Sequence, residues 1–162
     1  MRLLPAALTF LICTMFGMMK SAELKKRAAL LSELKQLAAE FSVSIRCTAP
    51  TLDELAGQCT GIFGELLRSE LSQREDIREA WENAAMRLSQ CSFCGKEESR
   101  LLTELGQSLG TCDAEGQLSL LEMYSEKLDK LCKSADEDSR TKGKLFRSVG
   151  TLAGAGAAIL II

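Results

Sequence analysis

Histidine is absent from this 162-residue chain. That removes the side chain most often used as a base near neutral pH, and with it every Ser/His or Cys/His nucleophile pair. Proline occurs only twice, at Pro5 and Pro50, and aromatic residues make up 5% of the chain. β-Branched residues are also few, while Leu, Ala, Glu, Lys and Ser dominate. Such a mixture disfavours strands and favours helices. Long apolar runs are missing from the interior. The segment from Lys20 to Arg147 holds 19 basic and 22 acidic residues, a net of −3. A nucleic-acid binder would show a concentrated basic surface instead.

The apolar sequence lies at the two ends, Leu3 to Met19 and Val149 to Ile162. The first could be a cleaved leader, since Arg2 precedes an apolar run of suitable length. Against that, the basic region is a single residue, and no A-x-A pattern follows. Lys20, Lys25, Lys26 and Arg27 come directly afterwards, where positive charge resists export. Ile12 is too bulky to precede a lipidated Cys13. An uncleaved anchor is therefore expected. Lys142, Lys144 and Arg147 precede the second segment. Both basic clusters lie on the inner flank, so the middle is expected in the cytoplasm and both termini outside. Each segment is short against the roughly 20 residues of an ordinary span. Leu145 and Phe146 extend the second one if Arg147 snorkels.

Between the ends, apolar residues recur at helical spacing. Leu24, Ala28, Leu31, Leu34, Ala38, Phe41 and Ile45 form one stripe, which predicts a long helix continuing from the first anchor and ending before Pro50. Thr51 to Glu54 reads as a capping box for a short helix ending near Gly57. Phe63, Leu67 and Leu71 mark a helix over 61–71. Ser72 to Glu75 reads as a second capping box, starting a helix with Ile77, Trp81, Ala84 and Leu88 that runs to about Gln90. Gly95 marks a turn. Leu102, Leu105 and Leu109 face inward on the next helix, which should stop at Gly110. Thr111 or Asp113 caps the last helix, with Leu118, Leu121, Tyr124, Leu128 and Leu131 on its apolar face. Gly143 is a weak point, but the helix could run straight into the second anchor.

Few motifs carry chemistry. Cys91-Ser-Phe-Cys94 has the spacing of a zinc or redox pair. The other five cysteines, at 13, 47, 59, 112 and 132, are scattered, and a zinc site would still need two more ligands. Gly95-Lys96 lacks the upstream glycine and the following Ser or Thr of a phosphate loop. Carboxylate runs such as Glu97-Glu98 and Asp136 to Asp138 read as solvated helix faces. Gly150, Gly154 and Ala158 recur every four residues, a spacing that lets membrane helices approach closely. Gly106 sits inside an apolar face, where it costs about 1 kcal/mol against Ala. A close backbone contact would justify it.

Leu105-Gly-Gln-Ser-Leu-Gly-Thr-Cys-Asp113, with Gln117 and a long helix into a C-terminal anchor, resembles the stage III sporulation protein AB family. The order of parts agrees: N-terminal anchor, long first helix, break at Ala49-Pro50, Ala80-Trp81 in mid-chain, then the Leu-Gly segment. Seven cysteines and a short stretch after Pro50 depart from the pattern. The resemblance implies a membrane complex made in the mother cell of endospore-forming bacteria, which helps build a channel to the forespore. Several of its components resemble type II secretion and type IV pilus parts. This one would be similar to the cytoplasmic domain of their inner-membrane platform protein, a six-helix bundle. A companion would resemble a secretion ATPase.

The expected fold is thus all-α: roughly six helices bundled between two transmembrane helices. The expected divisions are an anchor over 1–19, a cytoplasmic bundle over 20–144 and an anchor over 145–162. Gly106, Leu109, Gly110, Thr111, Asp113 and Gln117 are the candidate structural or partner-contact residues. No catalytic residue, cofactor or nucleic acid is expected, and Cys91 and Cys94 are the sole metal candidates. By the resemblance, the chain is a non-enzymatic scaffold in the forespore-facing membrane of the mother cell. Its partners would be the bilayer, other stage III proteins including the ATPase, and a second copy of itself. The competing readings are a secreted or surface helical protein with a cleaved leader, and a metal- or redox-sensing domain built on the CxxC.

Overall fold

The computed structural model describes residues 3–48, 51–73, 76–109, 111 and 113–161; within the helices it leaves aside the side chains of 3–6, 52, 158, 160 and 161. These residues form six helices and no strand: α1 (Leu3–Thr48), α2 (Leu52–Gln58), α3 (Gly61–Leu71), α4 (Ile77–Ser89), α5 (Lys96–Ser108) and α6 (Ala114–Ile161). The first helix ends two residues short of Pro50, as the proline rule requires. Ala49 and Pro50 themselves lie outside the described residues. The chain divides into two compact units, Ala29–Cys132 and the paired ends Met1–Ala28 with Lys133–Ile162.

The unit Ala29–Cys132 is a conventional core. Leu31, Leu34, Ala38, Phe41 and Ile45 of the α1 stripe are all buried. Trp81 of α4 sits at the centre. The Phe63 ring of α3 meets it edge-on, with centroids 4.9 Å apart, and the Phe41 ring lies at 6.4 Å. Its indole N–H donates to the Leu102 carbonyl of α5 at 2.9 Å. A buried tryptophan needs that partner, since an unmade hydrogen bond would offset part of the gain from burial. Leu121, Tyr124 and Leu128 bring α6 against the same core.

Local signals explain most helix ends. Thr51 and Glu54 make the expected reciprocal capping box. The second expected box is corrected. Ser72 terminates α3 and donates its hydroxyl to the Ser69 carbonyl at 2.8 Å. Asp76 caps α4 instead, accepting from Arg78 N–H at 2.9 Å. Glu75, the other half of that box, lies outside the described residues. At α3 the adjacent threonine makes no side-chain cap. The Glu33 carboxylate reaches across from α1 and accepts from Ile62 N–H at 3.0 Å. Gly61 sits beneath that carboxylate with φ 72°, where a Cβ would be strained and would also collide with Glu33.

Gly143 does not break α6, which is one helix from Ala114 to Ile161. In the unit formed by the chain ends, α1 and α6 run antiparallel. Ser21 is 1% exposed and accepts from Arg147 Nε at 3.1 Å, while Gly143 packs beside the Ser21 hydroxyl.

Replacing Trp81 by Ala should lower the unfolding free energy by about 3–5 kcal/mol. Denaturation of the full chain in detergent, followed by far-UV circular dichroism, measures it. A loss under about 1 kcal/mol would show that the ring is not central to the core.

Candidate functional site

The stretch from Leu105 to Gln117 forms the corner between α5 and α6. Gly106 is buried, and a Cβ there would fall within 3 Å of Cδ1, Nε1 and Cγ of Trp81. The missing side chain is what admits the indole, so the close approach suggested by the sequence is to a ring. Leu109 is also buried and adopts extended geometry, ending α5 one residue before Gly110. Gly110 lies outside the described residues. Thr111 is exposed and donates its hydroxyl to the Ser108 carbonyl at 2.7 Å. Asp113 caps α6: its carboxylate accepts from Gly116 N–H at 3.1 Å and its carbonyl from Gln117 N–H at 3.0 Å.

Two partners of this corner were not evident in the sequence. The Arg78 guanidinium donates to the carbonyls of Gln107 and Leu109, each at 3.4 Å. It places positive charge where the last carbonyls of α5 carry partial negative charge. Gln107 donates to Glu82 at 3.0 Å. Burial pushes the Tyr124 phenol above its usual pKa, opposed by a hydrogen bond with Ser108.

The carboxylate reading needs one correction. Glu97 is exposed as expected, but Glu98 is 0% exposed. It occupies the third position of α5, and its carboxylate lies back over Gly95 at the helix start. Helix N-termini favour negative charge there. Between the last turns of α4 and α3, Arg87 reaches Glu70, itself largely buried, at 2.7 Å.

Cys91 and Cys94 are half-buried in the turn after α4, where Cys94 N–H donates to the Cys91 carbonyl at 3.1 Å. Their thiols point to backbone carbonyls of Arg87 and Gly95. Among the described residues, no group of three or more Cys, Asp or Glu is placed to hold a metal ion. Among the described residues Cys59 is the most enclosed thiol, and burial pushes its pKa up to about 12.

The second constellation joins the chain ends. Gly150 packs against Cys13 and Gly17, and Gly154 against Phe10 and Cys13. Gly17 faces Phe146 and Gly150 in return. The side chain of Ala158 lies outside the described residues. The small-residue stripe on α6 thus meets a partner in its own chain. One helix among the described residues is long and apolar enough to cross a membrane by length and composition, and it is α1.

The family model described as stage III sporulation protein AB matches residues 2–162, almost the whole chain. The chain belongs to that family. Its role accordingly lies in sporulation. No curated protein and no solved structure matches the chain.

In this member of the family, Gly106→Leu should lower the melting temperature of the full chain by several degrees, because overpacking beside Trp81 costs about 1–3 kcal/mol or more. Asp113→Ala should cost about 1 kcal/mol, the value of a cap. Equal melting of Gly106→Leu and the parent would mean that the gap beside Trp81 closes freely.

A thiol of pKa near 12 is almost wholly protonated at pH 8. Folding therefore favours the protonated form of Cys59. Its stabilising contribution is complete below the ordinary thiol pKa and is lost as pH rises from about 9 toward 12. Exposed Cys47 should alkylate readily at pH 8, while Cys59 should react only on unfolding. Peptide mass mapping after a timed iodoacetamide pulse measures both.

Proposed function

We propose that this chain is a non-enzymatic platform, anchored in the forespore-facing membrane of the mother cell by both ends. It would serve the secretion-like channel complex that links mother cell and forespore. One observation carries the membrane part. Beyond its charged turns, over residues 7–19 and 149–157, the unit of paired chain ends is largely apolar outside and small inside, the reverse of a protein folded in water. Ile12 and Phe16 are each 64% exposed and Leu152 is 72% exposed, while Gly154 is buried. Large outward side chains suit lipid, and small inward ones suit close helix packing. The opposite order holds in Ala29–Cys132, where Leu and the large rings are inside.

On this reading, α6 supplies a second membrane helix beside that of α1. The unit Ala29–Cys132, with the neighbouring charged turns of α1 and α6, is the cytoplasmic helical bundle. Family membership supports the sporulation complex as its setting. The absence of histidine supports a binding role rather than acid–base catalysis. The exposed edge of the α5–α6 corner, Thr111 and Asp113, is the proposed contact for another component, the secretion-type ATPase being the leading candidate. A second copy of the chain is the other partner to test.

In a background lacking native cysteines, single cysteines beside Lys20 and Arg147 should resist an impermeant thiol reagent in intact mother cells. They should label after permeabilisation. Efficient labelling from outside would falsify the orientation. The intact chain should also keep its full translated mass, whereas a mature form lacking the first 20 or so residues would favour a cleaved leader. Asp113→Ala should reduce capture of complex components from sporulating cells while changing melting little. Unaltered capture and sporulation would remove the corner from the partner surface.

A further inference from the structure

The pairing of α1 with α6 has an electrostatic result. Lys20, Lys25, Lys26 and Arg27 leave the apolar part of α1. Arg140, Lys142, Lys144 and Arg147 approach the apolar part of α6. In sequence these clusters are more than a hundred residues apart. In the structure, Ser21 sits against Gly143 and Arg147, so the two clusters share one level of the antiparallel pair. Across 20–27 and 140–147 there are eight basic residues and one acid, Glu23, in a chain of net charge −2. Of the eight basic residues, all but Arg27 are exposed. Lys20 pairs with Glu23 at 2.8 Å, and Lys142 with Asp138 at 2.8 Å. Those surface pairs are weak. Asp138 belongs to the acidic run Asp136 to Asp138, which lies farther from the apolar part of α6; counting that run, the collar still carries eight basic against four acidic residues, a net of +4.

We propose that this collar, assembled from both helices, is a binding surface for the headgroups of anionic phospholipids. The reading rests on the proposal that the paired helices lie in a membrane. Charge complementarity selects the occupant. A membrane-proximal cluster of four to eight Lys and Arg residues attracts anionic lipid, and its effect decays within about one Debye length, about 8 Å at physiological salt. The collar lies directly beside the apolar surface, within that reach. Arg147 is the innermost charge, and its link to Ser21 holds one guanidinium at the seam between the helices. A lipid phosphate at this level would meet positive charge from α1 and α6 together, which neither helix supplies alone.

The test uses the full chain in a mild non-ionic detergent. Phosphatidylglycerol should raise the melting temperature by several degrees, and the same amount of phosphatidylcholine should not. The gain should shrink as salt rises from 0.05 to about 0.5 M. The variant K25Q/K26Q/K142Q/K144Q should lose it, with apparent affinity falling about tenfold or more. The charge-preserving variant K25R/K26R/K142R/K144R should keep it, and circular dichroism should show both variants folded. Equal gains from both lipids, or an undiminished gain in the glutamine variant, would overturn the proposal. So would an equal gain from inorganic phosphate or from short single-stranded DNA at matched phosphate concentration, because the surface would then read phosphate without a membrane. Carbonate extraction of the parent from neutral phosphatidylcholine vesicles tests the membrane reading separately. Retention there without a phosphatidylglycerol effect removes only the lipid preference, and release removes both.

Discussion

The core of Ala29–Cys132 depends on placing one indole. Trp81 is the chain's only tryptophan, and it contacts α1 through Phe41, α3 through Phe63 and α5 through Leu102 and Gly106. A ring of that size can be enclosed only if a neighbour gives up its side chain and another supplies an acceptor. Gly106 does the first and the Leu102 carbonyl the second. These two residues stand one helical turn apart on α5, so a single face of that helix meets both demands. The glycine's helix cost of about 1 kcal/mol is small against the burial of a tryptophan.

The unit formed by the chain ends obeys a different constraint. On the proposed membrane reading, hydrophobic burial drives little association between the two helices, so close backbone approach has to contribute more. Gly17, Gly150 and Gly154 permit that approach. The large apolar residues are then free to face outward. One polypeptide thus contains two packing rules, with Leu and aromatic rings inside one unit and glycine inside the other.

Much of the helix plan was legible because it is local. The stripe from Leu31 to Ile45 repeats at three and four residues, and Thr51 to Glu54 caps its own helix. Where two local signals competed, the pattern misled. Ser72 and Asp76 both suit a helix start, and the structure uses Asp76. Glu98 read as solvated because a run of carboxylates says nothing about which one folds back over the helix end. Gly106 was legible as an anomaly, but its partner lies 25 residues upstream and no local spacing points there. Arg78, Glu33 and Gly17 were missed for the same reason: each acts on a helix distant in sequence. Gly17 did leave a trace, as the one glycine in the first apolar run.

The bond between Arg147 and Ser21 spans 126 positions of sequence. A chain made from its N-terminus must therefore expose the first half of this pair long before the second half exists. If α1 enters the bilayer as it is synthesised, Gly17 and Ser21 must wait there without their final neighbours. Only after α2 to α5 and most of α6 have been translated can the seam close. Assembly of the paired ends is thus a late, post-translational event, whereas the contacts of α3 with α4 and of α4 with α5 can form as soon as those helices emerge.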